Sequence, residues 1–543
     1  MSKKTGKLLI YMPIIVSVAV VIGFLLGANV NSGDSNSQNS SIISFKHRNF
    51  NILNEVITYI DNEYVDTVRK DELIEETVQH LLQELDPHSY YIPASELRAM
   101  TEPLEGKFEG IGVQFNIQKD TVVVIATISG GPSEKVGLQA GDRIVKVDGE
   151  IIAGNGITNG KVMKLLKGKK GTKVDLTIDR ISDKNLDFTI TRDKIPFYSV
   201  DVSYLMKDDI GYIKISRFAK TTYEEFLQAA KELSDLGMKK MVIDLRGNGG
   251  GFLDAAVNIA DELLPKGKMI VYTEGRARER QNYFSTKNGL YQDISLAVLI
   301  DQSSASASEI LAGAVQDNDR AEIFGRRSFG KGLVQEQTNW PDGSATRLTI
   351  ARYYTPTGRC IQRSYEDGTD EYLEDYQHRY ETGEVYGADS IDFPDSLRFV
   401  TPEGKVVYGG GGIMPDHFIP IDTAGGSFFL NQVVYKGLVY DYAFDYVDHK
   451  REYMEKTYAS SLEYKMQNDD EELLADFILF AQKKGITATP KDLERSKERL
   501  IRRLKAYIAR NIWNNEGFYR ILNEEDEVVK EAVSELDRQR ITL

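Results

Sequence analysis

The chain has 543 residues, of which 41% are hydrophobic and 27% are charged, a composition typical of a globular protein with several domains. Its formal net charge of −15 argues against a nucleic-acid-binding protein, because such a protein needs a concentrated basic face. The single cysteine, Cys360, excludes an intramolecular disulfide and a cysteine-based metal site. We expect no metal and no other cofactor.

The N-terminus predicts a membrane anchor over residues 1–28. Lys3, Lys4 and Lys7 precede the uncharged stretch LLIYMPIIVSVAVVIGFLLGA, which is long enough to cross about 30 Å of hydrocarbon as a helix. Because basic residues stay on the cytoplasmic side, we expect a single-pass protein of the cell inner membrane with the rest of the chain in the periplasm. A cleaved signal peptide is the alternative. A polar tether, residues 29–44, follows.

Four further regions are distinguished by their patterns. Helical periodicity over residues 45–105 predicts an N-terminal helical domain. Short strands with one helix over residues 106–185 predict a β-domain. Apolar strands alternate with helical runs over residues 186–425, as in an α/β domain, and residues 426–543 have helical spacing. We therefore predict a multidomain α/β and α+β protein with an N-terminal transmembrane anchor and a helical C-terminal extension.

The predicted β-domain begins with a glycine-containing loop, EGIGVQF, at residues 109–115. Its glycines suit a loop whose backbone N–H groups converge on one carboxylate. GLQAGDRIVKVDG then supplies a turn, a strand and a tight turn at Asp148 and Gly149. These residues resemble a PDZ domain, with a generic small β-domain as the alternative. The resemblance assigns binding of a polypeptide C-terminus to Gly110, Ile111, Gly112 and Val113.

Residues 303–314, SSASASEILAGA, have two interpretations. A serine three residues before a glutamate and ahead of an apolar run is a capping box, and Ser306 and Glu309 satisfy it by themselves. The position also suits a nucleophile, because α/β proteins place nucleophiles where a strand turns into a helix. None of the six histidines stands in a comparable motif to serve as its base.

A lysine that follows Ser306 by 25 residues is a candidate base. Lys331 stands between two glycines in SFGKGLVQ, residues 328–335. A desolvated lysine loses its proton more easily and can then activate a hydroxyl. Taken alone, the motif is weak, because a lysine is ordinarily a solvated surface charge.

Together the two segments resemble the carboxyl-terminal processing proteases, or tail-specific proteases, which are S41 serine peptidases with a PDZ domain and a Ser-Lys dyad. The likeness covers residues 45–425 and includes LDPHSYYI, VIDLRGNGGG, ARYYTPTGR and GGGGIMPDHFIP. It implies that Ser306 is the nucleophile and Lys331 the general base. Gln335, taken to lie one helical turn past Lys331, matches a residue that positions the lysine. Glu309 matches a carboxylate that supports the site.

The glycine-rich segment DLRGNGGG, residues 244–251, is the candidate oxyanion hole. The resemblance assigns this role to the N–H groups of Gly250 and Ala307, and Gly249 is an equally defensible choice. A phosphate-binding loop is the competing interpretation. It lacks the Lys-Ser/Thr ending of a Walker loop and the spacing of a dinucleotide-binding fingerprint.

The resemblance implies a membrane-anchored serine endopeptidase with a periplasmic catalytic part, in which residues 186–425 form the protease core. Its expected partners are polypeptide substrates with free C-termini and the membrane, and no nucleic acid. A catalytically inactive PDZ scaffold is the alternative, although a scaffold has no need for Ser306, Lys331 and Gln335. A Tyr-rich insertion at residues 363–408 and the tail from 426 depart from the family pattern. Each is interpreted as a lid, a partner-docking surface, a dimer contact or a solvated appendage, and neither is expected to bear on the dyad.

Overall fold

The structure is a computed structural model that describes residues 41–128, 130–180, 183–207, 209–366, 368–387, 391 and 394–539. The described chain forms two compact units, one ending at Val78 and the other beginning at Gln79. The predicted anchor, residues 1–28, lies outside the described residues. Among the helices that are described, none combines the length and apolar character needed to cross a membrane.

The region predicted to be helical begins with two helices, α1 at Ser41–Glu63 and α2 at Lys70–Gln83. The first turn of α2 carries Asp71 and Glu72, whose negative charges stabilise the positive end of the helix dipole. α1 begins inside the segment predicted as a tether.

A short strand, β1, and a helix, α3, lead into the β-domain. The elements of this part are β1 Tyr90–Ile92, α3 Ala94–Glu105, β2 Lys107–Gly110, β3 Val113–Gln118, β4 Thr121–Thr127, α4 Pro132–Lys135, β5 Arg143–Val147, β6 Glu150–Ile151, α5 Asn159–Leu166, β7 Lys173–Asp179, β8 Leu186–Thr191 and β9 Asp193–Pro196.

The β-domain contains one sheet with the strand order β3-β4-β5-β7-β8, with β6 beside β5, so β3 lies at an edge. Val174, Leu176 and Ile178 alternate along β7 and are buried in the core, because successive side chains of a strand point to opposite faces. The predicted tight turn is present, with φ of 48° at Asp148 and 82° at Gly149.

The α/β region follows. Its elements are β10 Val200–Lys207, β11 Ile210–Ile215, α6 Thr222–Asp235, β12 Lys240–Asp244, α7 Leu253–Leu263, β13 Met269–Gly275, β14 Arg278–Phe284, β15 Ser295–Ile300, α8 Ala307–Asp317, β16 Glu322–Gly325, β17 Leu333–Asn339, β18 Ala345–Tyr354, α9 Thr369–Glu381, β19 Arg398–Val400, β20 Val406–Tyr408 and β21 His417–Phe418.

Two sheets of this region position the candidate site. The first has the order β10-β11-β12-β15-β16-β21 and is parallel except for β10. Every residue of β11 and β12 is buried, as expected for strands with both faces covered. The second sheet has the order β1-β18-β13-β14, with β17 also paired to β18. Antiparallel pairing of β1 with β18 places the segment LDPHSYYI across β18 from β17.

The C-terminal extension is helical, as predicted. Its helices are α10 Phe428–Tyr435, α11 Leu438–Thr457, α12 Ser461–Gln467, α13 Asp470–Lys483, α14 Pro490–Asn523 and α15 Glu527–Gln539. Ile213, Ile243 and Val298 of the parallel sheet pack in the same core as residues of α6, α7 and α8. The intervening Tyr212 and Val242 point to the opposite face and pack with apolar residues of α15. The extension therefore completes the core of the α/β region.

Candidate active site

Ser306 lies between β15 and α8 and is the N-cap residue of α8. Its φ of 55° and ψ of −112° are unusual for a residue with a side chain and cost about 1–3 kcal/mol in typical cases. The predicted capping box is present, because the Ser306 N–H donates to Glu309 Oε2 at 2.8 Å. Ser306 also lines a cavity of about 700 Å³.

The hydroxyl groups of the neighbouring Ser304 and Ser308 bond backbone carbonyl oxygens. The buried hydroxyl of Ser304 donates to the carbonyl oxygen of Leu245 at 2.9 Å. The buried hydroxyl of Ser308 donates to the carbonyl oxygen of Asn248, also at 2.9 Å. Both bonds fix the strand end and glycine-rich segment that follow β12. Ser306 is therefore the serine of this segment that faces the cavity.

Lys331 lines the same cavity as Ser306. Burial lowers the pKa of its ammonium group below the ordinary 10.5, and the positive charge of Arg347 lowers it further. The Lys331 Nζ donates to Gln335 Oε1 at 2.9 Å rather than to the Ser306 hydroxyl. The pKa shift is toward the neutral amine, which is the form that can accept a proton.

We predicted from the spacing that Gln335 lies one helical turn past Lys331, and this prediction is wrong. It belongs to strand β17, where the pairing with β18 changes register between Val334 and Gln335. Such a bulge redirects a side chain that regular pleating would point elsewhere. The Gln335 carboxamide nitrogen also donates to the carbonyl oxygen of His88, which fixes the amide that receives the Lys331 bond.

Glu309 is fully buried and connects the Ser306 and Lys331 segments. Its Oε2 accepts the N–H of Ser306 at 2.8 Å and that of Lys331 at 2.9 Å. Its Oε1 accepts the Ser328 hydroxyl at 2.5 Å and the Gly330 N–H at 2.7 Å. Burial raises the pKa of Glu309, and these four donors oppose that effect. Glu309 therefore joins the Ser306 and Lys331 segments through their backbone N–H groups.

Tyr353, in β18, makes a second connection that the sequence did not reveal. Its hydroxyl lies 2.6 Å from the carbonyl oxygen of Lys331 and 3.1 Å from that of Ser306. A phenol has one proton, so the two carbonyl groups share it. Tyr353 lies within the quoted motif ARYYTPTGR, and its inward position follows from strand alternation once β18 is known.

Gly250 lies directly against Ser306. A side chain at Gly250 would place its Cβ 2.8 Å from the Ser306 Cβ and 3.0 Å from the Ala307 nitrogen, and its φ is +98°. Both facts require glycine there. The Gly250 N–H, however, donates to Asn248 Oδ1 at 2.8 Å.

The predicted oxyanion-hole role of Gly250 is therefore not supported in this conformation. Within the described chain, the N–H groups of Gly249 and Ala307 have no hydrogen-bond acceptor. Gly249 is exposed and lines the cavity. The geometry therefore favours Gly249 over Gly250 as the donor beside Ala307.

His88 also lines the cavity, but its ring bonds another residue instead of Ser306. Its Nε2 lies 2.8 Å from the hydroxyl of Tyr372 in α9. Burial, followed by the charge of Lys331, lowers the pKa of His88 to about 4, so the ring is neutral near pH 7.

The Tyr-rich insertion contacts the site, although it was not expected to bear on the dyad. Arg379 of α9 is buried and donates to the carbonyl oxygens of Arg327, Ser328 and Phe329, at 3.3, 2.9 and 3.2 Å. These residues lead directly into Lys331. In sequence, Arg379 is one of many charges in the insertion, and no local signal distinguishes it.

Sequence models of three known families match parts of the chain. A sequence model of peptidase family S41 matches residues 209–370, which include Ser306 and Lys331. A PDZ domain model matches residues 110–191. A family of unknown function (DUF8443) matches residues 429–514 of the helical extension.

Named relatives identify the group within that family. A carboxy-terminal-processing protease of Bartonella bacilliformis is 38% identical over 314 residues, 57% of this chain and 71% of that protein. A carboxy-terminal processing protease of Bacillus subtilis is 32% identical over 331 residues, 60% of this chain and 70% of that protein. The solved structure of a photosystem II D1 C-terminal processing protease is 32% identical, covers 56% of this chain and 81% of its own, and has a TM-score of 0.32. The chain belongs to peptidase family S41, among the carboxy-terminal processing serine proteases.

Proposed function

We propose that this protein is a membrane-anchored serine endopeptidase that recognises polypeptide C-termini through its PDZ domain and cleaves with a Ser306–Lys331 dyad. One observation carries the catalytic part. Ser306 and Lys331 line one cavity, and Glu309 and Tyr353 each connect the backbones of both residues. A scaffold without activity has no need to hold a partly buried lysine in the same cavity as a serine hydroxyl.

The proposed reaction proceeds through an acyl-enzyme. Neutral Lys331 takes the proton of the Ser306 hydroxyl while its oxygen attacks the scissile carbonyl carbon. The N–H groups of Ala307 and Gly249 stabilise the negative charge that develops on the carbonyl oxygen. Protonated Lys331 then gives its proton to the leaving amine. In the second half, Lys331 activates water, which hydrolyses the ester and releases Ser306.

The PDZ domain offers a site for the free carboxylate. A cavity of about 800 Å³ is lined by Gly110, Ile111, Gly112 and Val113, and edge strand β3 leaves room for a peptide strand beside it. Among the described residues, no acceptor engages the N–H groups of Ile111 and Gly112. The Ile111 side chain is only 2% exposed and packs in the domain core, which leaves Val113 as the more accessible apolar contact.

We expect peptides with free, apolar C-termini to be cleaved about 10- to 100-fold more efficiently than the same peptides with amidated C-termini. An amide carries no charge and brings N–H donors toward the N–H groups of the loop, which then remain unpaired. The measurement is kcat/KM for matched peptide pairs. Equal values for both members of each pair would contradict recognition of the carboxylate.

We also expect the full chain to be recovered in the membrane fraction and a chain lacking residues 1–28 in the soluble fraction. Anchoring depends on the apolar segment that follows Lys3, Lys4 and Lys7. Protease added to intact spheroplasts should digest the region after residue 28, because the proposal places it outside the cytoplasm. Recovery of both chains in the soluble fraction would contradict the anchor, and protection from the protease would contradict the orientation.

A further inference from the structure

The cavity of the PDZ domain is lined by more than the PDZ domain. Four of its residues belong to α14 of the C-terminal extension, and they are Arg510, Asn515, Phe518 and Tyr519. Other parts of its wall come from α3 and from the segment that leads into β10. About 400 residues of chain separate the carboxylate-binding loop from the helix that faces it.

A break in α14 directs this wall into the cavity. Trp513 and Asn514 leave the helical conformation, with φ/ψ of −112°/22° and 54°/−153°. The chain then folds back closely, because a Cβ at Gly517 would lie 2.9 Å from the carbonyl oxygen of Ala509. Only glycine fits at such an approach. The break therefore determines the direction of the residues that follow it, including Phe518 and Tyr519.

The wall is fixed to the protease core. Asn515 Nδ2 donates to the carbonyl oxygen of Asp201 at 3.1 Å. Arg520 Nη1 donates to the carbonyl oxygen of Leu205 at 3.0 Å, and its guanidinium lies 4.3 Å from the centre of the Tyr204 ring. All three partners belong to β10. A peptide in the cavity would therefore contact the PDZ domain and a segment that is hydrogen-bonded to the core.

The shape and chemistry of the cavity indicate its occupant. Phe518 and Tyr519 are half-buried and face a groove that also contains Phe108 and Phe197, so the surface opposite the loop is aromatic. The cavity stays open beside this wall, and its size lies within the range of about 300–1,000 Å³ that is usual for ligand sites. An open aromatic groove that ends at a carboxylate-binding loop suits an apolar peptide.

We propose that residues 510–519 of the C-terminal extension form the second wall of the peptide-binding groove and contact the apolar residues that precede the terminal carboxylate of the substrate. The inference rests on the proposed recognition of C-termini. The PDZ loop would bind the terminal carboxylate, and the extension would select the side chains that precede that carboxylate. Aromatic rings supply such contact area with little loss of conformational entropy.

The test measures binding to the full chain carrying Ser306→Ala, so that cleavage does not interfere. The probe is a fluorescent peptide with a free C-terminus and apolar residues in its last four positions, followed by fluorescence anisotropy. Phe518→Ala should weaken binding about 5- to 30-fold, because the peptide loses apolar contact area. Glu498→Gln is the matched control, since Glu498 is exposed earlier in α14, lies outside residues 510–519 and does not line the cavity. It should bind as the parent does.

Phe518 also packs against Tyr507, with ring centres 5.1 Å apart, so thermal unfolding of each variant is measured as well. Phe518→Leu keeps the apolar packing and loses the ring, and we expect about a 3- to 10-fold loss of affinity. Unchanged affinity in both Phe518 variants would overturn the inference. Tighter binding in Phe518→Ala would also overturn it, because Phe518 would then block the groove. If the parent binds free and amidated peptides equally, the proposed recognition itself fails. If it prefers the free peptide but ignores Phe518, only the role of the extension fails.

Discussion

Replacing Ser306 with alanine is expected to lower kcat/KM for peptide cleavage by about 10⁴- to 10⁶-fold, a loss of the size seen when a serine peptidase loses its nucleophile. The fold should remain, because the Glu309 carboxylate and the Tyr353 hydroxyl bond the backbone N–H and carbonyl oxygen of residue 306, which alanine retains. Loss of the N-cap hydroxyl costs about 1 kcal/mol of stability in typical helices. The measurements are steady-state cleavage and thermal unfolding.

Ser303→Ala is the matched control, because Ser303 is exposed in the same segment and does not line the cavity. It should retain nearly full activity. Ser304→Ala and Ser308→Ala should retain much of it, reduced by the loss of bonds that fix the strand end and glycine-rich segment. An active Ser306→Ala protein, or a folded but inactive Ser304→Ala protein, would show that Ser306 is not the nucleophile.

Lys331→Arg is expected to be inactive at every pH, because a guanidinium does not deprotonate in a protein. In the parent protein, kcat/KM should rise about tenfold per pH unit up to the pKa of Lys331 and then level off. The sign follows from the chemistry, since only the neutral amine accepts the Ser306 proton. Burial and Arg347 place that pKa below 10.5, so the rise should end at a lower pH than for an ordinary lysine.

His88 provides the contrasting outcome. Its pKa is about 4, so a histidine base at this position would give a profile that is already level near pH 6. His88→Gln should therefore keep the rising profile, with a moderate loss of rate from the missing contact to Tyr372. A level profile above pH 6 in the parent, or activity in Lys331→Arg, would exclude Lys331 as the base.

Local patterns in the sequence are sufficient for much of this structure. The capping box at Ser306 and Glu309 and the tight turn at Asp148 and Gly149 each depend on residues a few positions apart. The strands and helices of the β-domain and the α/β region follow from hydrophobic periods of 2 and 3.6. Resemblance then identified the family and the candidate nucleophile and base, because their motifs are themselves short.

The backbone geometry around the candidate site was not determined in this way. Gln335 reaches Lys331 from a bulged strand, and a bulge appears only when β17 pairs with β18. The Gly250 N–H donates to a carboxamide oxygen two residues away. The spacing of the glycines does not show whether a backbone N–H is bonded in this way or is left without an acceptor. In both cases the geometry of the predicted residue depended on the surrounding backbone.

The insertion and the C-terminal extension depended most on tertiary structure. Arg379 braces the backbone before Lys331, α15 covers one face of the parallel sheet, and Phe518 lines the groove of a domain about 400 residues earlier. In sequence, these segments have the pattern of ordinary charged or amphipathic helices. Their periodicity predicts that each helix buries one face, but it does not predict which part of the protein packs against that face. The sequence by itself determined the elements, the family and the candidate catalytic residues. Only the tertiary structure decided which surfaces meet, because packing depends on the shapes of partners far apart in the chain.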